Sequence, residues 1–359
     1  MTGTSVDALD VAIARFEAKK RPKMDILALK EYPIPSNTRD RIFHIIDGRG
    51  NARDISHVSF ALADIFARAI AQAADCAGIV IRQIDAAGIH GQTIWHEPSG
   101  APPNSLQIFS GPALAAKLRI PIVYDFRAAD IALGGQGAPL SPAFDRDFLL
   151  RPERTTIVIN IGGIANITIL PAGGEVAAFD TGPGNCLIDA LAMDHFKKKY
   201  DQNGEIAGSG NIIPELFQIL KNDEYLNITP PKSTGRERYN RNFISSAIAE
   251  ANITDPQPAD LIRTFTEFTA WSIAEAIRLY SPDRIYAAGG GLRNGFMTEL
   301  LEGNLSIPVR STAEAGLPPD SREALCFAWL AWLRMAGRPG NIPSVTGASR
   351  EALLGAIAV

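Results

Sequence analysis

The residues of this 359-residue chain that could do chemistry are three glycine-rich turns and a set of polar side chains placed after strand-like runs. The first turn is Gly3-Thr4-Ser5-Val6-Asp7-Ala8-Leu9-Asp10. Its N–H groups and hydroxyls suit phosphate oxygens, and Asp7 and Asp10 can hold a cation through water. The second turn, Gly162-Gly163, lies between β-rich runs at 155–160 and 166–170 and is bounded by Asn160 and Asn166. Glycine there permits a tight reversal and close approach of backbone to a ligand. The third, Gly289-Gly290-Gly291 with Asn294 just beyond, follows a strand-like run at 284–286 and precedes a helix. Backbone without side chains can lie flat against an adenine or ribose. Each turn alone also reads as an ordinary loop; their order along the chain is what points to a nucleotide.

Polar clusters follow short apolar runs at three further places. They are His90-Gly91-Gln92-Thr93, then Asp125-Phe126-Arg127, then Asp180 through Asn185 at the start of a helix. Groups just beyond strand ends are where open α/β sheets bind ligands. His90 reads equally as a hydrogen-bonded structural histidine, Asp125 and Arg127 as a surface pair, and Asp180 as a helix-start carboxylate. Together they favour a small polar substrate. The chain has no Gly-Lys dipeptide, so the GxxxxGK[ST] loop is absent, and it has no HRD loop of the protein-kinase type.

The elements that must carry these residues alternate. Strands are expected at 11–16, 86–89, 120–124, 155–160, 166–170 and 176–179. Helices are expected at 57–76, 186–196, 261–279 and 322–335, the last with Phe327, Trp329 and Trp332 facing a core. Such alternation implies an α/β fold. At roughly 100–200 residues per domain the length implies two lobes. Gly/Pro clusters at 134–142 and 337–343 are the expected crossings between them.

Hydrophobic residues make up 46% and charged residues 21%, with a net charge of -4, which disfavours a general nucleic-acid binder. The three cysteines, Cys76, Cys186 and Cys326, form no CxxC pair and are expected as small buried side chains in a reducing cytoplasm. No signal peptide and no membrane helix is expected.

Long strings across the chain resemble the anhydro-N-acetylmuramic acid kinase family. They are MTGTSVDALD, HGQTIWHEP, DFR, DIALGGQGAPLSPAF, NIGGIANIT, FDTGPGN, PKSTGRE, AAGGGLRN, EALCFAWLAW and PSVTGAS. The resemblance implies a two-lobed actin/hexokinase-like, ribonuclease H-like fold with an interlobe cleft. It implies ATP and Mg²⁺ as cofactors, a cytoplasmic homodimer, and no nucleic-acid or membrane partner. The implied reaction opens the 1,6-anhydro ring of anhydro-N-acetylmuramic acid with water and phosphorylates O6, in cell-wall sugar recycling.

On this resemblance residues 3–10 are the first ATP-binding stretch, and Gly162, Gly163, Asn166, Gly289, Gly290, Gly291 and Asn294 complete the nucleotide site. Asp180 is the general base and Glu323 a second substrate-side carboxylate. His90, Gln92, Thr93, Asp125, Arg127 and Asn185 contact the sugar, and Asp7 and Asp10 the metal. The lobes are expected at 1–128 plus 341–359, and at 129–340. Family members carry a short apolar strand ahead of the first turn, and a chain with such a strand is expected to be the more stable. Ala8 stands where glycine is common, with strain of roughly 1 kcal/mol expected if that position needs positive φ. A kinase for another amino sugar, or an inactive ATP-binding scaffold, are the competing readings.

Overall fold

The computed structural model describes residues 1–3, 6–17, 19 and 21–359. Thr4 and Ser5 of the first turn lie outside the described residues. The chain divides into two compact units, Met1–Phe148 with Ser321–Val359, and Leu149–Asp320.

Among the described residues the first unit has the strands β1 (Ala8–Glu17), β2 (Lys23–Pro33), β3 (Ala87–Ile89), β4 (Gln92–Glu97), β5 (Asn104–Ile108) and β6 (Ile122–Tyr124), with a last strand at Ala356–Ala358. β1 and β2 form one antiparallel sheet. β3 and β6 pair in parallel, and the last strand joins β6 antiparallel to make a second. β4 and β5 form a separate hairpin. The Ala52–Cys76 helix opens on an Asn51 capping box, with Asn51 accepting from Arg53 and Asp54 and Asp54 answering the Asn51 N–H. It turns Val58, Leu62, Phe66 and Ala69 inward.

A cavity of about 330 Å³ lies between β1 and β3, lined by Ala12, Ala14, Phe16, Ala87, Ile89 and Trp332. The first residues lead into it. The Met1 ammonium donates to the Asp10 carbonyl at 2.8 Å, the Asp10 N–H returns to the Met1 carbonyl at 2.9 Å, and Thr2 pairs with Leu9. These contacts are the first rungs of an antiparallel ladder along β1.

The second unit holds one five-stranded sheet. Its strands are β7 (Thr156–Ile161), β8 (Ile164–Leu170), β9 (Ala177–Pro183), β10 (Arg284–Ala288) and β11 (Val309–Ser311). The order is β11-β10-β7-β8-β9. β7 runs parallel to β10 and antiparallel to β8. Its sequence TIVINI is almost wholly buried, as befits a central strand covered on both faces. The Cys186–Phe196 and Pro258–Arg278 helices pack onto this sheet through Leu187, Leu191, Phe265, Phe268 and Ile273.

The α/β fold class and the long elements agree with the sequence reading. The boundaries between units differ from it. Segments 129–148 and 321–340 belong to the first unit, because buried polar pairs tie them together there. Arg322 Nε donates to Asp145 Oδ1 at 2.9 Å, with a second contact from Nη2 to Oδ2, and Trp329 Nε1 donates to Asp147 at 2.9 Å. Both Gly/Pro clusters therefore lie inside one unit and are not crossings. Ala8 has no positive φ; among the described residues of the first turn it is Val6 that is left-handed, at φ 54°. Cys326 is buried and Cys186 half-buried, but Cys76 is exposed, so the last departs from its expected place.

Candidate active site

In the second unit the site grows from three strand ends. Asn160, Asn166 and Asp180 are register partners across β7, β8 and β9, so the hairpin turn and Asp180 share one edge of the sheet. The turn is stitched to the start of the Cys186–Phe196 helix. Gly184 and Cys186 N–H groups donate to the Gly163 carbonyl at 2.9 and 3.1 Å, and the Asn185 N–H donates to the Gly162 carbonyl at 2.8 Å. Asn185 thus enters through its backbone.

The Gly289–Gly291 run folds against the same strand end. Gly289 has φ +87°, and a Cβ there would come within 2.6 Å of the Ile161 carbonyl. Gly291 is equally closed by Ile161. Gly290 is different, since among the described residues a Cβ there would meet nothing within 4 Å. Its bareness leaves an open surface beside the turn. Asn294 caps the Gly295–Leu305 helix by accepting from the Met297 N–H at 3.0 Å, and is buried in that role.

Asp180 is the chemically distinctive group here. Burial pushes its carboxyl up to about 6, against a lowering hydrogen bond from the Thr234 N–H and a further raise from Glu237. The Thr234 N–H reaches Asp180 Oδ2 at 2.9 Å, the Asp180 N–H reaches the Lys232 carbonyl at 3.3 Å, and Tyr225 Oη donates to the Asp180 carbonyl at 2.8 Å. Asp189, on the first turn of the following helix, is also pushed up to about 6 by burial, with the Arg236 guanidinium pulling the other way. The sequence reading assigned no role to Asp189, Thr234 or Arg236. Thr234 and Arg236 come from a segment distant in the chain and Asp189 sits inside the following helix, so local spacing does not mark them.

The first unit gathers a second set. Arg127 donates from Nε and Nη2 to His90 Nε2 at 3.2 and 3.0 Å, and from Nη1 to the Gly137 carbonyl at 3.2 Å. His90 Nδ1 lies 2.9 Å from the Gly91 carbonyl, which fixes the Nδ1–H tautomer. Burial, then the Arg127 charge, drives the His90 pKa down to about 3, so the ring is neutral. Burial also lowers Arg127 to about 10, while Glu323 on the Arg322–Met335 helix supports its charge. Gln92 is buried, and among the described residues its Oε1 has no hydrogen-bond partner. Thr93 Oγ1 accepts from Gln107 at 3.3 Å. Asp125 sits at φ 58° with its carboxyl raised by burial. His90 and Arg127 are thus in direct contact, and Glu323 acts on Arg127 through space.

The two metal candidates fit a cation poorly as a protein-built cage. Asp7 is paired with Arg39 at 3.0 Å, and Asp10 joins the Met1 ladder through its backbone. Among the described residues no group of three or more His, Cys, Asp or Glu side chains converges on a metal position. This donor set suits an ion carried chiefly by phosphates and water. Among the described residues no helix is long and apolar enough to cross a membrane.

Several solved structures are similar to the chain at low identity and low TM-score. The ROK hexokinase of Thermus thermophilus is 16% identical, with 86% of this chain and 92% of that one covered and a TM-score of 0.36. Component A of the (R)-2-hydroxyglutaryl-CoA dehydratase of Acidaminococcus fermentans is 12% identical, with 85% and 93% covered and a TM-score of 0.39. The activator of the 2-hydroxyisocaproyl-CoA dehydratase of Clostridium difficile, with bound ADPNP, is 13% identical at a TM-score of 0.30. There 57% of this chain is covered, and the chain spans 64% of that activator's length. The family comparison reaches every residue. The profile described as anhydro-N-acetylmuramic acid kinase matches residues 1–359, and the chain is a member of that family.

Proposed function

We propose that the protein is an ATP-dependent kinase that opens 1,6-anhydro-N-acetylmuramic acid with water and phosphorylates O6, yielding N-acetylmuramic acid 6-phosphate and ADP. The observation that carries this reading, beside family membership, is Asp180. It is a half-buried carboxyl held by a backbone N–H and poised at about 6, near the pH at which a general base works best.

C1 of the anhydro sugar is a masked acetal carbon. Water attacks it, its oxygen forms the new C1–O bond, and its proton passes to the Asp180 carboxylate. The C1–O6 bond breaks and its electron pair stays on O6. O6 then attacks the γ-phosphorus, and the bond from that phosphorus to the bridging oxygen breaks to release ADP. Asp180 returns its proton to solvent. Mg²⁺ bound to the nucleotide phosphates would supply charge neutralisation, with Asp7 and Asp10 as the carboxylates that would meet its water shell. Gly162, Gly163 and the bare Gly290 supply backbone against the nucleotide. Gln92 Oε1, Arg127 and the neutral His90 supply an acceptor, a cation and a ring for a small anionic sugar. The cytoplasm as its location and a homodimer as its assembly belong to the same reading.

Incubation with ATP, Mg²⁺ and the anhydro sugar, followed by mass spectrometry, tests it. The expected product is heavier than the substrate by one water and one phosphoryl group. A phosphorylated product that keeps its anhydro ring, or no product at all, rejects the reading.

A further inference from the structure

The segment Pro231–Glu237 has no role in the reaction as written, yet it crosses both halves of the site in the second unit. Thr234 lies on Asp180, and two residues further on Arg236 lies on the glycine turn. A Cβ built on Gly163 would sit 2.8 Å from Arg236 Nη2 and 2.9 Å from Nε. The guanidinium therefore occupies the space that a side chain at 163 would take.

The neighbouring cations are engaged in holding the segment. Lys232 Nζ donates to the Tyr225 and Leu226 carbonyls at 3.2 and 3.1 Å. Arg238 is paired with Asp223, which also accepts from Tyr239 Oη at 2.5 Å. Arg236 differs. Among the described residues its side chain makes no hydrogen bond and no ion pair within 4 Å, and it is exposed. Asp189 acts on it only through space. The carbonyls of Gly162 and Gly163 are taken by N–H groups of the following helix. What remains is a free, planar fork of N–H donors laid over a phosphate-type turn, one short span of chain from the base. That fork matches phosphate oxygens in pairs.

We propose that Arg236 binds the γ-phosphoryl group of ATP and stays with it during transfer, so that one segment holds both the base and the migrating group. The proposal rests on the kinase reading. A contact to the γ-phosphate distinguishes ATP from ADP, so nucleotide binding tests it without turnover.

Calorimetry on the full chain, with the β,γ-imido analogue of ATP and with ADP, each with Mg²⁺, supplies the test. Arg236→Gln is expected to weaken the analogue by about 10- to 10²-fold and to leave ADP within about twofold, because ADP lacks the contacted group. Arg236→Lys should recover part of the loss, since it restores charge without the fork. Turnover by Arg236→Gln is expected to fall by about 10²-fold. Exposure of the side chain keeps the variant folded, which its melting curve checks. Equal loss for both nucleotides, or none for either, overturns the proposal while wild-type turnover leaves the kinase reading standing. A wild-type protein that binds neither nucleotide removes both.

Discussion

The backbone N–H of Thr234 donates to Asp180 Oδ2 at 2.9 Å across 54 residues of sequence. The carboxyl assigned as base is thus aimed by a main-chain group from a distant segment while burial lifts its pKa. The lift and the aim have separate experimental signatures.

Asp180→Asn keeps the shape of the side chain and removes its basicity. It is expected to bind both substrates and to turn over at least ~10²-fold more slowly. In ¹⁸O water the wild-type product should carry the label on the C1 hydroxyl and none in its phosphate. Label in the phosphate, or near-normal turnover by the variant, would show that Asp180 does not govern water entry at C1.

The raised carboxyl also sets a pH dependence. The base must be ionised, so kcat/KM should fall as pH drops through about 6. Thr234→Pro removes the N–H that favours the carboxylate and should move this limb upward, whereas Thr234→Ala retains the N–H and should leave it in place. Stability follows the opposite course. Asp180 binds its proton more tightly folded than unfolded, so its contribution is present below the unfolded value near 3.8 and is lost as pH rises to about 6. Between pH 4 and 7 wild type should therefore lose roughly 1–3 kcal/mol relative to Asp180→Asn in urea unfolding.

Gly290 and Gly289 offer a contrast within one run. Gly290→Val meets no atom of the described residues within 4 Å at its Cβ, so it should fold normally and weaken ATP by at least ~10-fold in calorimetry. Gly289→Ala puts a Cβ on a φ of +87° against the Ile161 carbonyl, and should lower stability by about 1–2 kcal/mol or more. Unchanged ATP affinity in folded Gly290→Val would remove this run from the nucleotide site.

The cavity beside β1 bears on stability. A short apolar, β-branched segment joined to the Met1 nitrogen would extend the ladder that Met1 and Thr2 begin with Asp10 and Leu9. Burying two or three apolar side chains there is expected to raise Tm by at least ~4 °C. A polar segment of equal length is the control, and equal melting of the two would show that the cavity takes no strand.

The Arg322–Asp145 pair is almost wholly buried and doubly bonded. Arg322→Met should cost about 3–5 kcal/mol, because it removes the guanidinium paired with a buried carboxylate. Restoration by the paired Asp145→Leu would identify desolvation as the cause.

Periodicity made the second unit legible in the sequence. The all-buried TIVINI strand and the amphipathic 258–278 helix announce themselves by their apolar patterns. β2 went unread because charged residues interrupt its alternation, KMDILALKEYP, and one face stays wet. The unit boundary was misplaced because glycine and proline signal turns, and a turn inside a unit looks like one between units. Asp180 was legible from its place at a strand end. Thr234 was not, since it acts through an N–H group that almost any residue would supply. Arg236 was not, since its partner is a glycine whose meaning is empty space.

That empty space couples two positions. Gly163 has no positive φ, so its own backbone does not require glycine; the Arg236 guanidinium does. Alanine at 163 would push aside only the tip of a flexible, exposed side chain, and would leave the fold intact while emptying the turn of its charge. Position 163 therefore behaves as an epistatic partner of position 236. A methyl group added at one should mimic the loss of a guanidinium at the other, and the double variant should be little worse than either single change.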